Sequence, residues 1–355
     1  MRFYYLQFAR FFAASIVVLF HKYYSGIKFI DFIIGRGDVA VTFFFILSGF
    51  VITNSLLRKP LNFKEYVFRR SLKIMPQWFL SILISVLVIG GFGISFFRVL
   101  LSILLLQTFY PAYSLDLNFV GWSLSVELIM YLVLFVTVTY VNVKSSKFSA
   151  AVWVVWFLTQ AAYLYLLSFH SDASLTNDNF NFFLHYHPVW HLSSFLIGIL
   201  SAVSFNKINV QVLLKIPYPA FFVSLIYVAI LVFCFFAGYK AGINRFYHNG
   251  FFAPITGIYI ILICNIEKQY KQSKKQWKNK LFDVLGGISF GIYLFHIPIY
   301  NYLNQLYVVG NSGYSFWAYF VVVLIFSYFA FKLLDEMLHR ITYPLLFNLR
   351  SANGS

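Results

Sequence analysis

Residues 221–238, FFVSLIYVAILVFCFFAG, form an apolar run without a single charged side chain. Eighteen residues of helix extend about 27 Å, close to the roughly 30 Å hydrocarbon core of a bilayer. Similar runs recur throughout the 355 residues, of which 61% are hydrophobic and only 11% are charged. The mean hydropathy is +0.77. Soluble domains do not have this composition, so the sequence predicts an all-α polytopic membrane protein.

The distribution of lysine and arginine predicts how the helices are oriented. Segments 58–73 and 267–280 each hold six basic residues and one glutamate, so both should face the cytoplasm. Eleven hydrophobic runs can be counted, and seven of them lie between these two segments, an odd number that would place the second segment outside. The run at 96–109 is short and contains an arginine. We therefore predict a re-entrant helix there, about ten crossing helices, and both termini in the cytoplasm.

This topology also predicts the domain organisation and the medium that surrounds the protein. Residues 1–345 are predicted to form one transmembrane domain, followed by a short cytoplasmic tail at 346–355. The net charge of +16 then marks the cytoplasmic face of the membrane. The predicted surroundings are therefore the lipid bilayer, and nucleic acid is not expected as a partner.

The first predicted helix carries an arginine and a histidine inside an apolar run, RFFAASIVVLFH (10–21). Eleven positions along a helix correspond to three turns plus about 20°, so Arg10 and His21 project from one face, about 16 Å apart along the axis. Ionisable side chains inside a membrane are costly and commonly functional. The alternative is that Arg10 reaches the lipid headgroups and that His21 is an ordinary interfacial residue.

Two other ionisable residues lie within predicted spans. Glu127 ends the motif WSLSVE (122–127) at a depth similar to that of His21, and a histidine–carboxylate pair can serve as a general base. The alternative is that Glu127 has a structural role and accepts a hydrogen bond from the backbone or from Arg98. His296 lies deeper in the membrane, with Tyr293 on the same helical face, and either a structural or a catalytic role fits it.

A basic cluster occupies FRRSLKIMP (68–76), where Arg69, Arg70 and Lys73 precede a proline that is predicted to start the next helix. Guanidinium groups suit phosphate binding, although a cluster that merely marks the cytoplasmic side has the same composition. The three histidines of LHYHPVWH (184–191) have no carboxylate or cysteine nearby. We therefore predict no metal site and no tightly bound cofactor; the alternative of a zinc site rests on His185, His187 and His191.

Taken together, these residues resemble acyltransferase family 3 of bacterial membrane proteins. The resemblance extends from residue 6 to about residue 336, and five motifs carry it in order. They are the Arg10–His21 pair, FFFILSGFVIT (43–53), FRRSLKIMP (68–76), WSLSVE (122–127) and ISFGIYLFHIP (288–298). The sequence departs from the family pattern at Thr42, where many members have an acidic residue.

The resemblance implies an enzyme of the bacterial cytoplasmic (inner) membrane that moves an acyl group, usually acetyl, from cytoplasmic acyl-CoA to a glycan hydroxyl outside. It implies that Arg10 and His21 are the essential pair and that Glu127 assists them. The basic cluster would bind acyl-CoA on the cytoplasmic side. The supporting polar residues would be Ser48, Trp122, Ser123, Tyr293 and His296.

These implications combine into one mechanistic hypothesis. The 16 Å between Arg10 and His21 is comparable to the pantetheine arm of coenzyme A, so the phosphates would bind at Arg10 and the basic cluster while the thioester reaches His21. His21, oriented by Glu127, would either deprotonate the acceptor hydroxyl or be transiently acylated. The acceptor would be a cell-surface glycan or its lipid-linked precursor. The alternative function is a transporter or flippase without covalent chemistry, in which the same charges line a path.

Overall fold

The computed structural model describes residues 3–23, 25–89, 94–168, 179–205, 207–240, 250–270, 276–306 and 313–351. Within these ranges the chain forms α-helices joined by loops and short 3-10 turns, and no strand. The helices are α1 (Tyr4–Lys22), α2 (Lys28–Ile34), α3 (Asp38–Arg58), α4 (Phe63–Ile89), α5 (Phe96–Ile103), α6 (Trp122–Tyr140), α7 (Ser146–Ser168), α8 (Asn179–Tyr186), α9 (Leu192–Ser204), α10 (Pro219–Lys240), α11 (Ala253–Tyr270), α12 (Gln276–Gln305) and α13 (Gly313–Ser351).

Eight of the described segments are long and apolar enough to cross a bilayer. They contain α1, α2 with α3, α4, α6, α7, α10, α12 and α13. The two remaining predicted crossings coincide with α9 and α11; the thirteen residues of α9 extend only about 20 Å. The prediction of an all-α polytopic membrane protein is confirmed, and the orientation of the termini stays a prediction.

The segment predicted to be re-entrant contains only a short helix. The eight residues of α5 extend about 12 Å, too little to cross the bilayer. After 3-10 turns the chain returns to the bundle at Asn118, whose buried side-chain amide donates hydrogen bonds to Ser81 Oγ at 2.8 Å and to the Leu294 carbonyl at 2.9 Å. An ion pair at 2.5 Å connects Arg98 of α5 with Asp116, in the loop that leads back to Asn118. This geometry agrees with a segment that enters the membrane without crossing it.

Helix α1 packs against α12 and α3 in the interior of the bundle. Its N-terminus is capped by Glu267 of α11, whose carboxylate accepts hydrogen bonds from the backbone N–H groups of Tyr4 at 2.7 Å and Tyr5 at 2.9 Å. A carboxylate at this end satisfies free amides and interacts favourably with the helix dipole. The cap therefore fixes the depth of α1 in the bundle, and with it the depths of Arg10 and His21.

Helices α3 and α9 approach each other closely at two glycines. A Cβ atom on Gly198 would lie 2.3 Å from the carbonyl oxygen of Ile46 and 2.9 Å from the Cα atom of Gly49. Backbone atoms cannot rotate away as a side chain can. Small residues at such crossings are typical of membrane helices, which associate through close backbone packing.

We expect Gly198→Ala to destabilise the bundle more than Gly257→Ala. The added methyl at residue 257 would meet the Ser201 hydroxyl at 2.5 Å, a side chain that can rotate, whereas at residue 198 it meets backbone. Overpacking of this kind costs about 1–3 kcal/mol. Thermal unfolding of both variants in the same detergent measures the difference, and equal melting temperatures would contradict the packing argument.

Two boundaries predicted from the sequence, a helix start at Pro76 and a domain end at residue 345, both fall inside helices of the structure. The prediction that Pro76 starts a helix is wrong, because α4 begins at Phe63 and contains Pro76 in its interior. Membrane helices tolerate proline where neighbouring groups satisfy the freed carbonyl. The predicted domain boundary at residue 345 falls within α13, which continues to Ser351, and this boundary stays a prediction.

Candidate active site

His21 of α1 and His296 of α12 form a pair near the C-terminal end of α1. His21 Nδ1 lies 3.1 Å from His296 Nε2, and the two rings stack with centroids 5.2 Å apart. His296 is completely buried, whereas His21 is half-buried. The ring of Phe119, from the loop that follows the re-entrant segment, meets His21 edge to face at 5.2 Å.

The hydrogen bonds of the pair determine which nitrogen carries each proton. His296 Nδ1 lies 2.8 Å from the carbonyl oxygen of Tyr293, which can only accept, so Nδ1 of the neutral ring is the donor and Nε2 the acceptor. The hydrogen bond at His296 Nε2 must then come from His21 Nδ1–H. His21 is left with a lone pair on Nε2, which is the atom that a general base or a nucleophile requires.

Glu127 has partners other than those predicted. Its Oε1 accepts hydrogen bonds from Ser48 Oγ at 2.5 Å and from the Tyr131 hydroxyl. The predicted pair of His21 with Glu127 is therefore wrong, and so is the alternative bond to Arg98, which pairs with Asp116. The predicted depth was wrong as well, because Glu127 shares a cavity with Arg10, about 16 Å along α1 from His21. The rotation of α6 turns this carboxylate toward Ser48 of α3.

Glu127 lies in a cavity of about 210 Å³ that also contains three cations. Arg10, Arg70 and Lys73 line its walls, and electrostatic interactions connect Lys73 with both arginines and with Glu127. The remaining lining is mostly apolar, from α1, α3, α4, α6 and α12. One carboxylate against three cations leaves an excess of positive charge, so the cavity suits an anionic ligand with an apolar part.

Arg70 and Lys73 reach the cavity because α4 continues through the basic cluster. They are three residues apart and share a helical face. Arg69 is offset by about 100° and instead forms an ion pair with Glu65, one turn earlier, at 2.5 Å. The structure thus brings Arg10, Arg70 and Lys73 together and leaves Arg69 outside this group.

The cavity ends at Tyr293, before the histidine pair. Tyr293 and Ser123 line it and hydrogen-bond to each other through their hydroxyl groups at 2.6 Å. The ring of Tyr293 also contacts Phe44 at 5.9 Å and lies 6.3 Å from that of His296. Among the described residues that line the cavity, His21 is absent. This cavity therefore stops short of His21 and does not by itself form the single passage from Arg10 to His21 that our hypothesis requires.

The remaining predicted residues lie elsewhere. Trp122 is buried against Tyr186 and His191, away from the cavity. The histidines of LHYHPVWH bond within their own region: His185 Nδ1 lies 2.8 Å from the Asn181 carbonyl, and His191 Nε2 lies 3.0 Å from that of His185. His187 accepts a hydrogen bond from the Val189 amide. In the part of the chain that the structure describes, no group of three or more His, Cys, Asp or Glu residues could hold a metal ion.

Sequence reasoning missed Tyr131 and Phe119. Tyr131 lies four residues after Glu127 on the same helix, a spacing that places two side chains on one face, so the pattern could have revealed it. Phe119 contacts His21 only because its loop folds back into the bundle, and no local pattern indicates that contact.

Comparison with known proteins places this chain in a family. A family model described as an acyltransferase domain matches residues 3–332, nearly the whole chain. The chain belongs to this acyltransferase family. No curated protein and no solved structure matches it significantly. The acyltransferase is thus a multi-pass membrane enzyme, with a basic cavity beside a histidine pair.

Proposed function

We propose that this membrane acyltransferase moves an acetyl group from cytoplasmic acyl-CoA to a hydroxyl of a cell-surface glycan or of its lipid-linked precursor, in the bacterial inner membrane. The observation that carries the proposal is that helix α1 joins the two required sites. Arg10, near its N-terminal end, lines the basic cavity, and His21, at its other end, presents a basic nitrogen.

The donor half of the proposal rests on the charge of the cavity. Arg10, Arg70 and Lys73 would bind the phosphate groups of coenzyme A, which pair well with guanidinium and ammonium groups. The apolar lining would accept the pantetheine arm and the acyl group. The positive-inside rule places the basic end of α4 in the cytoplasm, where acyl-CoA is found.

The chemical step would use the lone pair of His21. The acceptor hydroxyl oxygen attacks the thioester carbonyl carbon while His21 Nε2 takes the hydroxyl proton. The new C–O bond forms as the C–S bond breaks, and His21 returns the proton to the leaving thiolate. His296 would position the imidazole by accepting its Nδ1–H.

Tyr293 would have to move during this reaction. Its hydroxyl closes the cavity against Ser123, and its ring lies between the cavity and His296. A side-chain rotation that breaks the bond to Ser123 would let the thioester reach His21. Closure in the absence of donor would keep the two sides of the membrane separated.

Acetyl-CoA binding and glycan analysis test this function together. The purified protein in nanodiscs should bind acetyl-CoA and release free coenzyme A slowly. Mass spectrometry of surface glycan from cells with and without the gene should show the loss of one acetyl unit per repeat. Transport of a lipid-linked substrate without any interaction with acetyl-CoA would favour the transporter alternative and contradict the proposal.

A further inference from the structure

Lys22 follows His21 directly and completes the last turn of α1. Its ammonium lies 3.8 Å from the centroid of the Tyr300 ring. Tyr300 is four residues after His296 and therefore lies on the same face of α12, one turn beyond the histidine pair. Electrostatic interactions connect this ammonium with both His21 and His296. A cation thus lies beside the imidazoles, on the side away from the basic cavity.

In the part of the chain that the structure describes, no acidic group neutralises this cation. Lys22 is half-buried, and among the described residues no carboxylate lies within ion-pair distance of its Nζ. Two acidic residues of the adjoining segments have other partners: Asp31 accepts hydrogen bonds from Ser25, and Asp116 pairs with Arg98. The Tyr300 ring and the C-terminus of α1 compensate only part of a full positive charge.

Aromatic rings surround the same end of α1. Tyr23 contacts Phe316 at 4.8 Å and Trp317 at 5.9 Å, and Trp317 is 49% exposed. Tyr300 packs against Tyr319 at 5.5 Å. Phe316, Tyr319 and Tyr300 are buried, so the accessible rings are the half-buried Tyr23 and the exposed Trp317. An accessible aromatic face beside polar groups can pack against the apolar face of a sugar ring while the polar groups orient its hydroxyls.

We propose that Lys22, Tyr23 and Trp317 form the acceptor subsite and that it takes a sugar bearing an anionic group, a carboxylate or a phosphate, close to the hydroxyl that receives the acyl group. This inference rests on the proposed role of His21 as the base. It adds the chemical class of the acceptor, which the family does not specify.

The charge balance of the reaction supports an anionic acceptor. When His21 takes the hydroxyl proton it becomes an imidazolium, and a neighbouring ammonium repels it. An anion bound to Lys22 removes most of this repulsion, because the pair is then neutral overall. An acceptor that supplies this anion therefore both binds at the site and favours proton transfer to His21.

Binding of simple sugars, measured without any acyl donor, tests the subsite. Methyl β-D-glucuronide and glucose 6-phosphate are the anionic probes, and methyl β-D-glucoside is the neutral control. The protein in phosphatidylcholine nanodiscs should prefer both anionic probes over the glucoside. Lys22→Met should weaken anionic binding about tenfold, or about 1.4 kcal/mol, with the glucoside unchanged. Lys22→Arg should keep the preference.

Lys28→Met is the matched control, because Lys28 is exposed near the same end of the bundle; it should bind all three sugars as wild type does. Equal binding of charged and neutral sugars by the wild-type protein would overturn the proposal, as would a Lys22→Met variant that keeps the preference. Loss of glucuronide binding when phosphatidylglycerol replaces part of the lipid would assign the ammonium to a headgroup, and this outcome also overturns it. Acetyl-CoA binding by the same samples separately tests the proposed function.

Discussion

Replacing His21 with asparagine is expected to lower the rate of acyl transfer by about a hundredfold to ten-thousandfold, the usual contribution of a general base. The asparagine amide nitrogen takes the position of imidazole Nδ1, so the hydrogen bond to His296 Nε2 can still form. The variant removes Nε2, with its lone pair, together with the outer part of the imidazole ring. Transfer of radiolabelled acetyl from acetyl-CoA, measured with protein in nanodiscs, gives the rate.

Two variants complete this experiment. His187→Asn changes a histidine outside the pair and should keep wild-type activity, since the described contacts of His187 are a hydrogen bond from the Val189 amide and ring contacts with Phe109 and Phe183. His296→Asn should reduce the rate less than His21→Asn, because it disturbs only the orientation of the base. Full activity of the His21→Asn variant would exclude His21 as the base.

Removing one cation from the cavity is expected to weaken acyl-CoA binding by about ten- to a hundredfold, because a hydrogen bond between charged groups is worth about 1.5–3 kcal/mol. Arg10→Met and Lys73→Met each remove one of the three cations around Glu127 and keep an apolar side chain of similar length. Equilibrium binding of acetyl-CoA at low salt measures the loss, and high salt should reduce the difference between the variants and wild type.

Arg69→Met is the matched control for these variants. Arg69 lies next to Arg70 in sequence, but its guanidinium pairs with Glu65 outside the cavity. We expect its affinity for acetyl-CoA to change less than about twofold, as for a surface ion pair. A loss as large as that of Lys73→Met would show that the whole basic cluster binds the donor, as the sequence alone had suggested.

Much of the fold was predictable because a bilayer imposes simple rules. Apolar runs of sufficient length must be helical in lipid, since backbone amides have no water to bond. That residues 96–109 lack a crossing helix was also predictable, from the charge parity between segments 58–73 and 267–280 and from the length of the 96–109 run. The continuous course of α4 through Pro76 was not, because local sequence favours a helix start there.

The sequence by itself determined that this protein is a helical membrane acyltransferase and that Arg10 and His21 share one face of the first helix. Those conclusions depend on composition, on helical periodicity and on motif order, all of which can be obtained from the sequence without knowing how the helices pack. Only the tertiary structure decided that His21 pairs with His296 and that Glu127 lies with Arg10, Arg70 and Lys73. Such partners depend on how each helix is rotated about its axis, and packing between distant segments sets that rotation.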